Sequence, residues 1–192
     1  MMKYAFIIAF IAITLSTIAQ TNLVTFAPMG IVNKFRIKFE RNLNENVSTG
    51  LYFNGYFNGI PVAFRGIRVD PFIRLYPTGK APKGFYIQGK AVMGYFSSNM
   101  EYEYLTLTDT LSLKSLKSFP TYGAGLGLGY QFLIGRGEMP IDLFLGFQYS
   151  KFTAPQIVLK DGNEYATAND VDWYLFGPGS FFNANFGIGF SF

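Results

Sequence analysis

The carboxyl-terminal segment of the chain restricts the fold more than any other feature. From Phe182 to Phe192, apolar residues alternate with Asn, Gly or Ser at every second position. Successive side chains of a β-strand point to opposite faces, so this segment would have one apolar face and one polar face. A strand of this kind that ends on an aromatic residue is typical of the closing strand of a transmembrane β-barrel.

The amino-terminal segment has the parts of a secretory signal peptide. Lys3 precedes an apolar run over residues 4–13, which is followed by polar residues and by the small Ala19. The run is shorter than the roughly 20 apolar residues of a membrane-spanning helix, so it favours a signal peptide cleaved after Ala19. We therefore expect residues 1–19 to direct export and residues 20–192 to form one barrel domain, integral to the outer membrane.

The composition excludes several kinds of site. The sequence contains no cysteine and no histidine, which excludes disulfides, lipid attachment at cysteine and thiolate metal ligands. Outer-membrane lipid hydrolases usually need a Ser activated by a His, so we expect no enzymatic activity. The net charge of +4 comes from charges interleaved with apolar residues, so we expect no nucleic-acid binding. No cofactor or metal ion is expected.

Period-two alternation recurs along the chain and predicts eight strands. Short and long connections alternate between them, like the periplasmic turns and extracellular loops of outer-membrane barrels. The expected fold is therefore all-β, a transmembrane antiparallel up-and-down barrel of eight strands. The predicted strands are residues 22–27, 31–40, 47–57, 66–76, 85–96, 122–134, 141–152 and 181–192.

Two connections are long enough to form surfaces of their own. We expect residues 97–121 and 153–179 to be extracellular loops available to a partner. Strand-like patterns within them, at residues 101–113 and 156–165, would extend the barrel wall beyond the membrane. An even strand number requires the weak first strand. If that strand is present, only residues 28–30 connect it to the second strand, which would be an unusually tight external turn.

Volume determines which face of the barrel meets lipid. The large apolar side chains would overfill an eight-stranded barrel, so we expect them outside, with aromatic residues near both rims. The polar face would line the lumen, where three acids would pair with six bases because buried charges need partners, and alternating glycines from Gly123 to Gly129 would make room for long side chains. The predicted lumen network comprises Lys34, Arg36, Lys38, Glu40, Arg68, Asp70, Arg74, Lys90 and Asp142.

Short motifs are distributed over most of the chain after the signal peptide. They are Asn22-Leu23-Val24, Pro28-Met29-Gly30, Phe39-Glu40-Arg41, Phe72-Ile73-Arg74-Leu75-Tyr76 and Gly79-Lys80-Ala81-Pro82-Lys83-Gly84-Phe85-Tyr86. Together they resemble an uncharacterised family of small outer-membrane barrels, grouped as a domain of unknown function. The resemblance implies an eight-stranded barrel without an assigned activity and a contact between Glu40 and Arg74 near the periplasmic rim. It also implies that Phe186, Phe190 and Phe192 form the signal presented to the barrel-assembly machinery.

The sequence leaves three functions open. The first is a structural or surface-interaction barrel with a filled lumen, surrounded by outer-membrane lipids, whose long loops contact an extracellular partner. The second is a small anion-preferring pore, suggested by the excess of lumen bases over acids. The third is a soluble periplasmic lipid-binding barrel, in which the apolar face would point inward. A filled lumen is favoured because a narrow barrel encloses little more than its own interior side chains.

Overall fold

A computed structural model of the chain describes residues 22–28, 34–57, 64–105, 110–135, 139–153 and 169–192. The side chains of residues 100–105, 110–114 and 169–171 are not among those described. The predicted signal peptide, residues 1–19, and the strand-like segment 156–165 lie outside the described residues, so both stay predictions. Among the residues described, no helix is both long enough and apolar enough to cross a membrane.

The described residues form a closed antiparallel barrel of eight strands, in which each strand pairs with the next and the last pairs with the first. The predicted fold class is confirmed, and the weak first strand is present. The strands are β1 (Asn22–Phe26), β2 (Lys34–Asn42), β3 (Val47–Tyr56), β4 (Phe64–Leu75), β5 (Gly84–Leu105), β6 (Thr110–Ile134), β7 (Met139–Ser150) and β8 (Phe182–Ser191).

Strands β1 and β8 close the barrel. Val24 lies opposite Phe190, and the backbone N–H groups of Asn22 and Phe192 each donate to the other residue's carbonyl oxygen at 3.0 Å. This pairing removes the two sheet edges that would otherwise be exposed. The connections after β2, β4 and β6 lie at the same end as Asn22 and Phe192, which we call the turn end. The opposite end is the loop end.

Strands β5 and β6 are much longer than predicted. The interpretation of residues 97–121 as a loop is wrong for its described part, because pairing continues from Phe96 opposite Phe119 to Leu105 opposite Thr110. The two strands hydrogen-bond to each other and so need no further neighbour to continue as a hairpin. The predicted extension of the wall over residues 101–113 is confirmed for the residues described.

The connection between β1 and β2 is described only in part. Strand β1 ends at Phe26, and the described part of β2 begins at Lys34, so the predicted start of this strand at residue 31 lies outside the described residues. The N–H of Ala27 still donates to the carbonyl oxygen of Arg36 at 3.0 Å. The tight turn predicted at residues 28–30 falls largely outside the described residues.

The connection between β7 and β8 contains a short helix that the sequence did not predict, α1 (Asn169–Leu175). The backbone N–H groups of Phe176 and Gly177 donate to the carbonyl oxygen of Asp172 at 3.2 and 2.7 Å. These bonds satisfy a carbonyl that the helix leaves without an internal partner where it ends. The helix and the residues after it bring Trp173 and Pro178 to the loop end of the barrel.

The predicted orientation of the two barrel faces is confirmed. Outward residues in the middle of the wall are highly exposed, as shown by Leu126 at 70% and Phe147 at 71%, whereas inward Lys38 and Arg74 are buried. Exposed aromatic residues lie near both rims. They are Phe39, Phe85, Phe132 and Phe192 toward the turn end, and Phe57, Tyr95, Tyr122, Tyr149 and Phe182 toward the loop end.

The inward glycines of β6 make room for side chains that cross the lumen. A Cβ atom at Gly129 would overlap the ring of Tyr86, whose hydroxyl donates to Asp142 Oδ1 at 2.6 Å. We expect Gly129→Ala to lower the free energy of unfolding by about 1–3 kcal/mol, because overpacking would displace the ring. Urea unfolding in detergent micelles measures this change.

Gly89→Ala is the matched control for Gly129→Ala. A Cβ atom at Gly89 would lie 3.5 Å from Leu126 Cδ2, which is an ordinary van der Waals contact on the outer wall. If Gly129→Ala unfolded at the same urea concentration as Gly89→Ala, the glycine row would not be needed to accommodate the lumen side chains.

Candidate functional site

Four charged residues meet across the lumen and form what we call the basal cluster: Lys38, Glu40, Arg74 and Asp142. Arg74 Nη1 lies 2.8 Å from Glu40 Oε2, and Arg74 Nη2 lies 2.8 Å from Asp142 Oδ2. Lys38 Nζ lies 2.7 Å from Glu40 Oε2 and 2.8 Å from Asp142 Oδ2. All four are at most 1% exposed. Two cations face two anions, so the cluster is electrically balanced.

Uncharged side chains complete the hydrogen bonding of the basal cluster. Gln131 Oε1 accepts from Lys38 Nζ at 3.0 Å and from Arg74 Nη1 at 2.9 Å. The hydroxyls of Tyr76 and Tyr86 donate to Glu40 Oε1 at 2.9 Å and to Asp142 Oδ1 at 2.6 Å. Both carboxylates of the cluster therefore accept hydrogen bonds from several donors. A buried network that is satisfied in this way fixes the positions of its side chains, so the cluster links the strands across the lumen.

Sequence reasoning missed the role of Tyr86 in this cluster. Its position in the strand alternation is the same as that of the inward residues Gln88 and Lys90, so the signal was present in the period-two pattern. The Tyr86 ring also faces a cation, since Arg74 Cζ lies 3.9 Å from the ring centre. Stacking of a guanidinium on an aromatic face adds to the attraction within the cluster.

The remaining predicted charges form a separate group nearer the loop end, the outer cluster: Lys34, Arg36, Arg68, Asp70 and Lys90. Arg68 Nη2 donates to Asp70 Oδ2 at 3.0 Å, and Lys90 Nζ lies 3.5 Å from the same oxygen. Arg68 Nε is 2.9 Å from Asp70 Oδ1, but the pair lacks hydrogen-bond alignment. Arg36 Nε donates to Asn54 Oδ1 at 2.5 Å. Four bases therefore surround one carboxylate.

The structure thus divides the nine predicted residues between two clusters instead of one network. Glu40 and Asp142 share Lys38 and Arg74, while Asp70 interacts with Arg68 and Lys90. The contact between Glu40 and Arg74 that the family resemblance implied is present. The excess of positive charge lies in the outer cluster alone.

An aromatic cap covers the outer cluster at the loop end. It comprises Tyr56, Phe64, Phe96, Phe119 and Trp173, all buried. The Trp173 ring centre lies 5.1 Å from those of Phe64 and Phe96 and 5.5 Å from that of Phe119. Its indole Nε1 donates to the carbonyl oxygen of Ser150 at 2.9 Å. Helix α1 therefore places Trp173 at the barrel mouth, where it packs against aromatic side chains of β3 to β6.

The segment after α1 also contacts the outer cluster directly. The carbonyl oxygen of Pro178 accepts from Arg68 Nη1 at 2.5 Å and from Gln148 Nε2 at 3.5 Å. Sequence reasoning missed both Trp173 and Pro178, which it placed in an external loop. The one available signal was the tryptophan itself, the only one in the chain, followed directly by the apolar residues Tyr174, Leu175 and Phe176.

The three residues predicted to form the assembly signal lie on the outer side of β8. Phe190 and Phe192 are exposed, Phe186 is half-buried, and the ring centres of Phe190 and Phe192 are 6.2 Å apart. They are therefore accessible from outside the barrel wall at the strand that closes the barrel.

The fold and the buried clusters define a class of protein, a small antiparallel barrel with an apolar exterior and a charged interior. No family model matches the chain, and no curated protein matches its sequence. Its structure is similar to that of a major outer membrane protein from Thermus thermophilus, with a TM-score of 0.53, 13% identity, and coverage of 92% of this chain and 100% of that one. At this identity the similarity establishes the fold alone.

Two other solved barrels align over similar lengths with lower TM-scores. The N-terminal β-barrel domain of Pseudomonas aeruginosa OprF has a TM-score of 0.42 and 14% identity, covering 90% of this chain and 97% of that domain. The Yersinia pestis protein Ail has a TM-score of 0.35 and 13% identity, covering 90% of this chain and 96% of Ail. The strand pairing itself, and not these two similarities, confirms the small eight-stranded barrel that the sequence resemblance implied.

Proposed function

We propose that the protein is an integral outer-membrane barrel with a filled lumen and a structural or surface-interaction role. The observation that carries this proposal is its inverted distribution of polarity. Apolar side chains cover the outer wall around the barrel, while the charged side chains of both clusters lie inside it, all buried except the half-buried Lys34. Soluble monomers rarely expose apolar patches larger than a few hundred Å², so a continuous apolar wall supports lipid contact.

The same distribution argues against a soluble lipid carrier. A carrier of this size would need an apolar interior for its ligand. Here the turn-end half of the lumen is occupied by Lys38, Glu40, Arg74 and Asp142, joined by hydrogen bonds and ion pairs. An acyl chain could enter only by breaking these contacts and exposing buried charges to hydrocarbon, which is unfavourable.

The anion-preferring pore remains the alternative, since the outer cluster has three more bases than acids. We favour a closed lumen because the basal cluster joins opposite walls, with Lys38 of β2 bonded to Asp142 of β7, and because the aromatic cap fills the mouth. Planar-bilayer recordings distinguish the two. The filled barrel should show no steady conductance above the bare bilayer, whereas a steady anion-selective current would favour the pore.

The long hairpin of β5 and β6 supports a surface-interaction role. A tilted strand crosses the membrane with about 9–11 residues, whereas β5 has 22 residues and β6 has 25. About 11–13 residues of β5 and about 14–16 residues of β6 would therefore project beyond the membrane. We infer that this hairpin, within residues 97–121, is the surface available to an extracellular partner, together with residues 153–179.

We also infer that Phe186, Phe190 and Phe192 mediate recognition by the barrel-assembly machinery, because they present aromatic groups outward on the closing strand. No catalytic role is assigned to the lumen charges. Each carboxylate of both clusters already contacts at least two cations, so none is available as a general base.

The substitution Leu126→Arg tests the membrane proposal. Leu126 is 70% exposed near the middle of the outer wall. If this position faces hydrocarbon, arginine should lower the free energy of unfolding by about 2–4 kcal/mol. If it faces water, the change should stay within about 0.5 kcal/mol. Guanidinium unfolding of the protein in phospholipid vesicles measures the difference.

Leu43→Arg serves as the control for Leu126→Arg. Leu43 follows β2 in a turn at the turn end and is 48% exposed, so arginine there would remain in water and should change the stability by no more than about 0.5 kcal/mol. A Leu126→Arg protein that unfolds in vesicles at the same guanidinium concentration as Leu43→Arg would overturn the proposed lipid-facing wall.

A further inference from the structure

The lumen charges are distributed unequally between its two halves. The basal cluster is balanced, but the outer cluster has four bases and only Asp70 as an acid. Asp70 is already occupied, because Arg68 Nη2 donates to it at 3.0 Å and Lys90 Nζ lies 3.5 Å away. Among the described residues, the outer half of the barrel therefore has a net positive charge that no described carboxylate balances.

Within the described part of the chain, Lys34 is the one member of the outer cluster that forms no bond. It forms no hydrogen bond or ion pair with any residue that the structure describes. The positive charges of Arg36 and Arg68 repel the Lys34 ammonium group, and the Asp70 carboxylate attracts it less strongly. An ammonium group in a partly desolvated position of this kind is stabilised by an anion.

Lys34 lines a crevice of about 40 Å³ at the loop end. The other described residues that line it are Tyr56, Phe57, Phe64, Phe176, Gly177 and Pro178. On this kind of measure a cavity needs about 10–15 Å³ to hold one water molecule, so the crevice has room for a compact group of a few heavy atoms but not for an acyl chain.

The crevice connects the lumen mouth with the outer wall. Lys34 and Tyr56 point inward, whereas Phe57 points outward and is 48% exposed, and Phe176 on the helix side is 63% exposed. A ligand with a small anionic end and an apolar remainder would match both parts. Its charged end would reach Lys34, and its chain would lie over Phe57 and along the apolar wall.

We propose that this crevice binds the phosphate of a phosphorylated amphiphile from the outer leaflet of the membrane. The phosphate oxygens accept hydrogen bonds from Lys34 Nζ and offset the positive charge of the outer cluster. Lysine suits this task because its ammonium group binds phosphate as a compact charge. It does not need the fixed planar arrangement of donors that an arginine guanidinium has. This assignment rests on the proposed membrane location, which places the loop end at the outer surface.

Titration calorimetry with dodecyl phosphate tests the assignment on the full barrel, refolded in a neutral detergent. We expect saturable binding of one dodecyl phosphate per barrel. Lys34→Met should weaken binding about tenfold or more, as expected when charge-assisted hydrogen bonds are lost, whereas Lys34→Arg should retain most of the affinity. Lys151→Met is the control, because Lys151 is exposed at the same end, over the Tyr122 ring at 5.7 Å.

Two further probes identify which part of the ligand is recognised. Dodecyl maltoside has the same chain without a phosphate and should not compete, and inorganic phosphate should bind much more weakly than dodecyl phosphate. Equal affinity for wild type and Lys34→Met, equal competition by the maltoside, or equal affinity for inorganic phosphate would each overturn the assignment. A folded barrel that binds nothing overturns only this inference, whereas a chain that forms no barrel in detergent overturns the membrane proposal.

Discussion

Replacing Arg74 by methionine is expected to lower the free energy of unfolding by about 3–5 kcal/mol, because it leaves buried carboxylates without their main cation. Arg74 interacts with Glu40 and Asp142, each at 2.8 Å, and its Nε donates to Gln88 Oε1 at 2.8 Å. Methionine preserves much of the side-chain volume and so isolates the loss of charge. Urea unfolding in detergent micelles, followed by circular dichroism, measures the effect.

Arg65→Met provides a control on the same strand. Arg65 is exposed, so its loss should change the stability by no more than about 0.5 kcal/mol. Combining Arg74→Met with Asp142→Asn should cost less than the sum of the two single changes, because the double variant keeps charge balance through Lys38 and Glu40. A cost below 1 kcal/mol for Arg74→Met alone would show that the basal cluster does not hold the barrel together.

Replacing Trp173 by alanine is expected to have a comparable effect, about 3–5 kcal/mol, because it removes the largest side chain from the aromatic cap. The indole is 0% exposed and its Nε1 loses the bond to the Ser150 carbonyl oxygen. The packing around it is close, since a Cβ atom at Gly179 would overlap the indole ring. The same unfolding experiment measures the loss.

The wild-type protein offers an independent test of the cap, because Trp173 is the only tryptophan in the chain. Its fluorescence should be blue-shifted and poorly quenched by acrylamide. Leu175→Ala is the control, because Leu175 lies on the same helix but is exposed, and it should change the stability by no more than about 0.5 kcal/mol. Strong quenching in the folded barrel would show that α1 does not close the mouth.

The strands could be predicted from the sequence because their faces follow a local rule. Alternation fixes which side of each strand is apolar, and a one-residue shift would reverse every face. For this reason Arg74, Asp142 and Phe190 could each be assigned to the correct face without knowledge of their neighbours. The strand ends were harder to predict, since pairing between β5 and β6 continues wherever the two partners remain in register.

The division of the lumen charges and the aromatic cap could not be predicted in this way. Lys38 meets Asp142 across 104 positions of sequence, and that meeting depends on strand tilt and register around the whole barrel. Trp173 enters the mouth because four aromatic rings from outside α1 surround it, namely Phe64, Phe96, Phe119 and Phe152. No local pattern in residues 169–175 specifies those contacts.

The central claim, a closed barrel that inserts in a membrane, is tested most directly by gel mobility of residues 20–192 refolded in detergent. The unheated protein should resist detergent and migrate as a compact band that shifts to the mobility of the unfolded chain only after boiling. Identical mobility before and after boiling, with the protein remaining soluble once detergent is withdrawn, would contradict the claim and favour a soluble barrel.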